Sequence, residues 1–181
     1  MTAIKNVLAI CGSLRQASLN AQLLQATEKV LDNRAQVSWA NIADLPHYNG
    51  DLDGDDKPLP VTQLVAQING ADALIIATPE YNYGVPGTLK NALDWASRPA
   101  FKSCLAHKPV LLMSASPSPV GGVRAQGQLK QILGGTLSHL CPVPEFALGG
   151  AATKFENGVL VDSETQKKLE RLIGDFLAWL E

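Results

Sequence analysis

Short apolar runs and helix-spaced apolar positions alternate along this chain. Residues 4–10 form a β-rich apolar run; residues 18–31 follow as a helix with Leu23, Leu24, Val30 and Leu31 on its apolar side. Residues 36–40 are a short strand candidate, and a loop with several Asp, Gly and Pro residues occupies 44–60. A helix fits 61–68. Residues 73–77, Ala-Leu-Ile-Ile-Ala, are apolar on both faces, as a strand buried in a parallel sheet must be. Pro79 stops that strand, and Pro86 stands at the helix start, where proline is best tolerated. Leu89, Ala92, Leu93 and Ala96 carry the next apolar stripe to Ser97. Residues 109–113 predict another buried strand, 114–122 a Ser/Pro/Gly loop and 123–133 a helix, with weaker strand signals at 136–140 and 145–148. In the last helix Ser163 and Gln166 have capping-box spacing, and Leu169, Leu172, Ile173, Phe176, Leu177 and Leu180 recur at helical period. With no repeat or linker, the alternation reads as one doubly wound α/β domain with right-handed crossovers.

Composition narrows the function. A chain of 181 residues is long enough for a sizeable core, and 46% hydrophobic residues exclude a disordered chain. A net charge of −2 argues against a nucleic-acid partner. No apolar run approaches the ~20 residues of a membrane helix, and the start of the chain lacks the apolar core of a signal peptide. The expectation is a cytoplasmic protein that does not engage a membrane. Cys11, Cys104 and Cys141 are odd in number and far apart, so neither a disulfide framework nor a cysteine zinc site is expected. His47, His107 and His139 are scattered and read as surface or satisfied residues; no metal site is expected.

Ligands of doubly wound sheets bind beyond the carboxyl ends of the strands. Three loops fall there. The first, Gly12-Ser13-Leu14-Arg15-Gln16-Ala17-Ser18-Leu19-Asn20, opens a helix, whose free N–H groups and positive dipole end attract anions. Ser13, Ser18 and Asn20 add short donors, and Arg15 adds a fork suited to phosphate. The loop is neither a Walker motif nor a dinucleotide fingerprint, so a phosphomonoester suits it best; an ordinary helix start capped by Ser18 is the plainer alternative. The second, Thr78 to Gly87, places Tyr81 and Tyr83 in a polar loop fixed by two prolines and two glycines. A planar ring could stack there, or the tyrosines could merely pack on the surface. The third, Ser114 to Gly122, could close over such a ring or be an exposed turn.

These residues carry a resemblance. Gly12-Ser13-Leu14-Arg15 with Ser18 and Asn20, Pro79-Glu80-Tyr81-Asn82-Tyr83, Pro86-Gly87, and Leu89-Lys90-Asn91-Ala92 with Asp94-Trp95 look like the NAD(P)H-dependent FMN reductases, especially the bacterial chromate and quinone reductases. Gly121-Gly122, Arg124 and Pro144-Glu145-Phe146 agree. The resemblance spans most of the chain. It implies a flavodoxin-like three-layer α/β/α sandwich over residues 1–181, with a five-stranded parallel sheet in order 2-1-3-4-5. It also implies non-covalent FMN, held by Ser13, Leu14, Arg15, Gln16, Ser18, Leu19 and Asn20 at the phosphate. Pro79, Glu80, Tyr81, Asn82 and Tyr83 would line the isoalloxazine, mostly through backbone groups, with Ser116 contacting it from the third loop. The family often has glycine where Ser118 stands, between Pro117 and Pro119.

A chain this short has no room for a second nucleotide-binding domain, so NAD(P)H would dock transiently over the flavin. Hydride would pass to flavin N5 and then, in a ping-pong cycle, to quinones, flavins, azo compounds or chromate. The flavin carries that chemistry, and no obligatory catalytic side chain is expected. Lys90 and Asp94 read as an i,i+4 ion pair. Arg124 and Glu145 form an opposite-charge pair that could lie at a subunit contact; Arg124 could instead meet the NADPH phosphate or be a simple surface charge. The family implies a homodimer or homotetramer. A flavodoxin-type electron carrier is the alternative from another class.

Overall fold

The computed structural model describes residues 4–181. Its strands β1 (Lys5–Cys11), β2 (Ala35–Trp39), β3 (Ala73–Thr78), β4 (Pro109–Ala115) and β5 (His139–Leu140) pair in parallel in the order β2-β1-β3-β4-β5. The period-two pattern of β1 sends Val7 and Ala9 to one face and Leu8 and Ile10 to the other. On the first face, Leu23, Leu24 and Leu31 of α1 (Leu19–Leu31) pack with Leu169, Ile173 and Phe176 of α5 (Ser163–Trp179). On the second, α2 (Leu59–Gly70), α3 (Gly87–Ala96) and α4 (Val123–Gly135) contribute Val61, Leu64, Leu89, Leu93, Trp95 and Leu129. This is the three-layer α/β fold, in the strand order the resemblance implied.

Details differ from the sequence expectations for local reasons. The weak signals at 136–140 and 145–148 are one split edge. His139–Leu140 pairs with the start of β4, and β6 (Phe146–Leu148) pairs with its end. Pro142 and Pro144, which have no N–H to donate, stand between them. The first half begins only at His139, because the N–H groups of Thr136 and Ser138 turn back to carbonyls of α4. The cap of α5 is Asp162, not Ser163: its carboxylate accepts from the Thr165 N–H, while the Gln166 amide donates to the Leu160 carbonyl. A hairpin, β7 (Phe155–Glu156) with β8 (Val159–Leu160), was not expected. Its turn, Asn157-Gly158, has φ of 47° and 81°, the conformation that pair of residues favours.

The long connection after β2 is tied down from α3. The buried Trp95 indole donates to the Pro46 carbonyl at 2.8 Å, and Asn91 bridges Pro46 and the Tyr48 N–H. The Asn91…Trp95 part of the family motif therefore has a structural task. Lys90 and Asp94 pair at 2.6 Å, as their spacing predicts.

Candidate active site

The site is built where β1 and β3 adjoin, because the chain winds outward in both directions from that seam. The loop after β1 must pass tightly over β3: a Cβ on Gly12 would stand 3.0 Å from Thr78 Oγ1 and 3.0 Å from a Leu89 methyl. Ser18 caps α1 by accepting from the Ala21 N–H at 3.2 Å. Among the described residues, the backbone N–H groups of Leu14, Gln16, Leu19 and Asn20 meet no protein acceptor. Arg15 is exposed beside them. Cys11 lies beneath, its thiol donating to the Ser13 carbonyl; burial raises its pKa, which keeps the proton on sulfur.

Asn20 is 2% exposed, and both ends of its amide are engaged. It donates to the Ala115 carbonyl and accepts from the Ala115 N–H, each at 2.9 Å. Its side chain thus clamps the first loop to the third, and only its backbone N–H remains open to a ligand.

The loop after β3 turns sharply. Tyr81 and Gly84 exchange two backbone hydrogen bonds of 3.0 Å, and Asn82 and Tyr83 between them have φ of 49° and 67°. A tyrosine in the left-handed region is strained by about 1–3 kcal/mol and must be held by its surroundings. The holders come from α4. The Arg124 guanidinium sits 4.4 Å from the Tyr83 ring centre, and Gln128 accepts from the Val85 N–H at 2.8 Å. Glu80 completes the brace. Its carboxylate takes the Arg124 backbone N–H at 3.0 Å and the guanidinium at 2.5 Å. Because α4 starts after Gly122, which has no side chain to cap it, Glu80 supplies the acceptor its first turn needs. Arg124 and Glu145 are therefore not paired with each other; Glu145 pairs with Lys130 at 2.7 Å.

The third loop rests on a buried polar knot. Gln126 donates to Ser114 Oγ and to the Phe146 carbonyl, and Ser114 donates to the Gly121 carbonyl at 2.6 Å. Gly121 has φ of 69°, and a Cβ there would lie 2.7 Å from the Ala147 backbone. The Ser116 N–H donates to Leu148, and the Ser118 N–H to Ser116 Oγ.

Together the loops enclose an open cleft of ≈ 270 Å³. Of the residues singled out from sequence, Ser13, Arg15, Ser18, Leu19, Asn20, Pro79, Glu80, Tyr81 and Ser116 line it. Leu14, Gln16, Asn82 and Tyr83 stand exposed on its rims rather than in its lining. Sequence reading missed Gln126 and Gln128. The signal for Gln126 was a polar residue between Ala125 and Leu129 on an apolar helix face; Gln128 stands four residues after Arg124, on its side of α4. Two more spacious concavities, of ≈ 640 and ≈ 680 Å³, lie outside this cleft.

Residues 5–153 match the family model of NADPH-dependent FMN reductases. The chain belongs to this family. It is 33% identical over 181 residues to a quinone reductase of Pseudomonas putida, covering all of this chain and 97% of that one. It is 38% identical over 179 residues to the quinone reductase of Escherichia coli, covering 97% and 93%. The solved structure of the flavoenzyme NAD(P)H:(acceptor) oxidoreductase FerB of Paracoccus denitrificans superposes with a TM-score of 0.91 at 35% identity, covering 98% and 97%. The reductase thus uses FMN as cofactor and NAD(P)H as co-substrate. The cleft fits that cofactor: unpaired N–H groups at a helix start, with Arg15, suit a phosphate. Among the described residues the N–H groups of Glu80, Asn82 and Tyr83 are also without protein acceptors, and these suit ring heteroatoms. Among the described residues, no helix is long and apolar enough to cross a membrane.

Proposed function

We propose that this reductase transfers a hydride from NAD(P)H to a small acceptor, a quinone first, by a ping-pong cycle at the cleft. The observation that carries this reading is the presence of two sets of open backbone donors, with Arg15 and Tyr81, in the lining and on the rims of one cleft between the strand ends. The chemistry FMN supplies when bound is acceptance of hydride at N5 and its delivery onward. The chain's own residues do the rest. Arg15 and the N–H groups of the first loop hold the phosphate, and the Ser18 hydroxyl, which accepts from Ala21 and rests its proton on the Cys11 sulfur at 3.8 Å, can turn that proton to the phosphate instead. The N–H groups of Glu80, Asn82 and Tyr83 are fixed donors for negative charge that develops on reduction, and fixed donors need no rearrangement at the moment of reaction. Glu80, Arg124 and Gln128 act as positioning residues, keeping the strained turn in place.

Tyr81 and Tyr83 are 46% and 72% exposed, so one side of the cleft is open. That openness supports a broad acceptor range, extending to free flavins, azo compounds and chromate, and a homodimer or homotetramer in which a second copy walls the site. Three free cysteines suit a reducing cytoplasm. The test is an anaerobic spectrum of the FMN-loaded protein with one equivalent of NADPH. Rapid bleaching, reversed by a quinone, is expected. A flavin left oxidised by both NADPH and NADH would overturn the reading in favour of an electron carrier.

A further inference from the structure

We propose that His107 and His139 form a two-imidazole site for a borderline divalent cation, of the Zn²⁺, Cu²⁺ or Ni²⁺ type, at the end of the sheet opposite the cleft. His107 lies in the turn that enters β4, and His139 is the first residue of β5. The two backbones are tied: the His107 N–H donates to the Leu137 carbonyl at 2.8 Å, and the His139 N–H to the Lys108 carbonyl at 2.9 Å. Both residues are exposed. Their rings meet edge to face with centroids 5.1 Å apart, and Nδ1 of His107 lies 3.2 Å from Nε2 of His139.

That separation is the one a metal needs. At a Zn–N distance of about 2.0–2.1 Å, two ligands of a tetrahedral ion lie about 3.3–3.4 Å apart. The backbone ties fix where the two residues leave the chain, and the 3.2 Å between the ring nitrogens is within a few tenths of an ångström of that spacing. In the metal-free pair one ring nitrogen carries the hydrogen that points at the other. On binding, the ion takes that hydrogen's place. The hydrogen moves by tautomerisation to the outer nitrogen of its own ring, so the neutral pair loses no proton. Imidazole selects Cu²⁺, Ni²⁺ and Zn²⁺ over Mg²⁺ and Ca²⁺, which prefer oxygen ligands. Among the described residues no third His, Cys, Asp or Glu completes the group. Water fills the remaining positions, which sets the affinity at a micromolar rather than a structural-zinc level.

The site is separate from the flavin cleft. His139 pairs with Pro109, the first residue of β4, whereas Ala115, the last, lines the cleft. Six residue steps of strand put roughly 20 Å between them. An ion there would bridge the two-residue half of the split edge to the turn that enters the central sheet. Because it binds the folded chain, it would raise thermal stability.

Calorimetric titration of the metal-free full chain with ZnCl₂ and CuCl₂ tests the proposal, with His107→Gln and His139→Gln as separate variants. One ion per chain is expected, bound in the micromolar range and lost in each variant. On ¹⁵N-labelled parent protein, Cu²⁺ is expected to broaden first the amides of His107, Lys108, Ser138 and His139. The second measurement needs no variant to fold. Zn²⁺ binding undiminished in both variants, or broadening centred on His47 or on any of the cysteines, overturns the site. FMN affinity and NADPH oxidation stay at parent levels in both variants, so failure here is distinguishable from failure of the proposed reductase cycle.

Discussion

The two ends of the sheet are built on opposite terms. At the amino ends of the strands the polar groups close on one another. The Asp72 N–H donates to the Asn6 carbonyl at 2.8 Å, the Asn6 N–H to the Asp72 carboxylate at 2.7 Å, and the Lys108 ammonium to the Ala71 carbonyl. At the carboxyl ends the polar side chains also close on protein, as Asn20, Glu80, Gln126 and Gln128 do, but the backbone donors of the first two loops stay open. Side chains hold the loops still, and in the proposed cycle the open backbone donors are what would meet the cofactor. A backbone donor cannot swing away, so it makes the better fixed partner for a ligand whose charge changes.

The contrast can be broken at several places. Asn20→Ala should have the largest effect. It removes both hydrogen bonds between Asn20 and the Ala115 backbone, at a cost of about 1–3 kcal/mol in urea unfolding, and FMN affinity should fall with it as the first and third loops uncouple. A variant as stable as the parent would refute the clamp. Arg15→Ala should separate the two quantities. FMN binding, followed by fluorescence quenching, should weaken by about 1.5–3 kcal/mol, while apo stability moves by less than about 0.5 kcal/mol. Unchanged FMN affinity would remove Arg15 from the phosphate cradle. At the other end, Asp72→Ala should cost about 1 kcal/mol of stability with no change in FMN affinity; a shift in affinity would show that the ends are coupled.

The smallest effect concerns acid. The Thr165 hydroxyl, then the Lys154 ammonium, then the Thr165 N–H, all donating to Asp162, hold its carboxyl at about 2, below its ordinary 3.8. A carboxyl depressed on folding stabilises the fold above its unfolded pKa and loses that contribution as pH falls through the folded one. The slope of stability between pH 4 and pH 2 should therefore flatten in Asp162→Asn. A profile identical to the parent's would show that the cap does not titrate with folding.

The residues at these sites were unequally legible. The place of the first loop could be read because a helix start depends on local backbone: Ser18 caps α1, and Ser13, Arg15 and Ser18 line the cleft. Asn20 was legible as a polar residue at the site, but its partner Ala115 is 95 residues away, so its engagement as a clamp was not. The Arg124 partner was likewise hidden, since Glu80 stands 44 residues earlier. The Asn157-Gly158 hairpin could have been read, because its turn chemistry is local.

What the sequence by itself determined is what short-range patterns encode: the alternation of strands and helices, the apolar faces, the loops at the strand ends, and the family motifs that imply the strand order. Tertiary structure decided which polar groups meet. It split the fifth strand around two prolines, used Trp95 and Asn91 to anchor a distant loop, turned Glu80 into the missing cap of α4, and set two scattered histidines 3.2 Å apart. The physical reason is that burial follows from period and hydrophobicity along a few residues, whereas a hydrogen bond between distant segments exists only once the whole sheet has fixed their spacing.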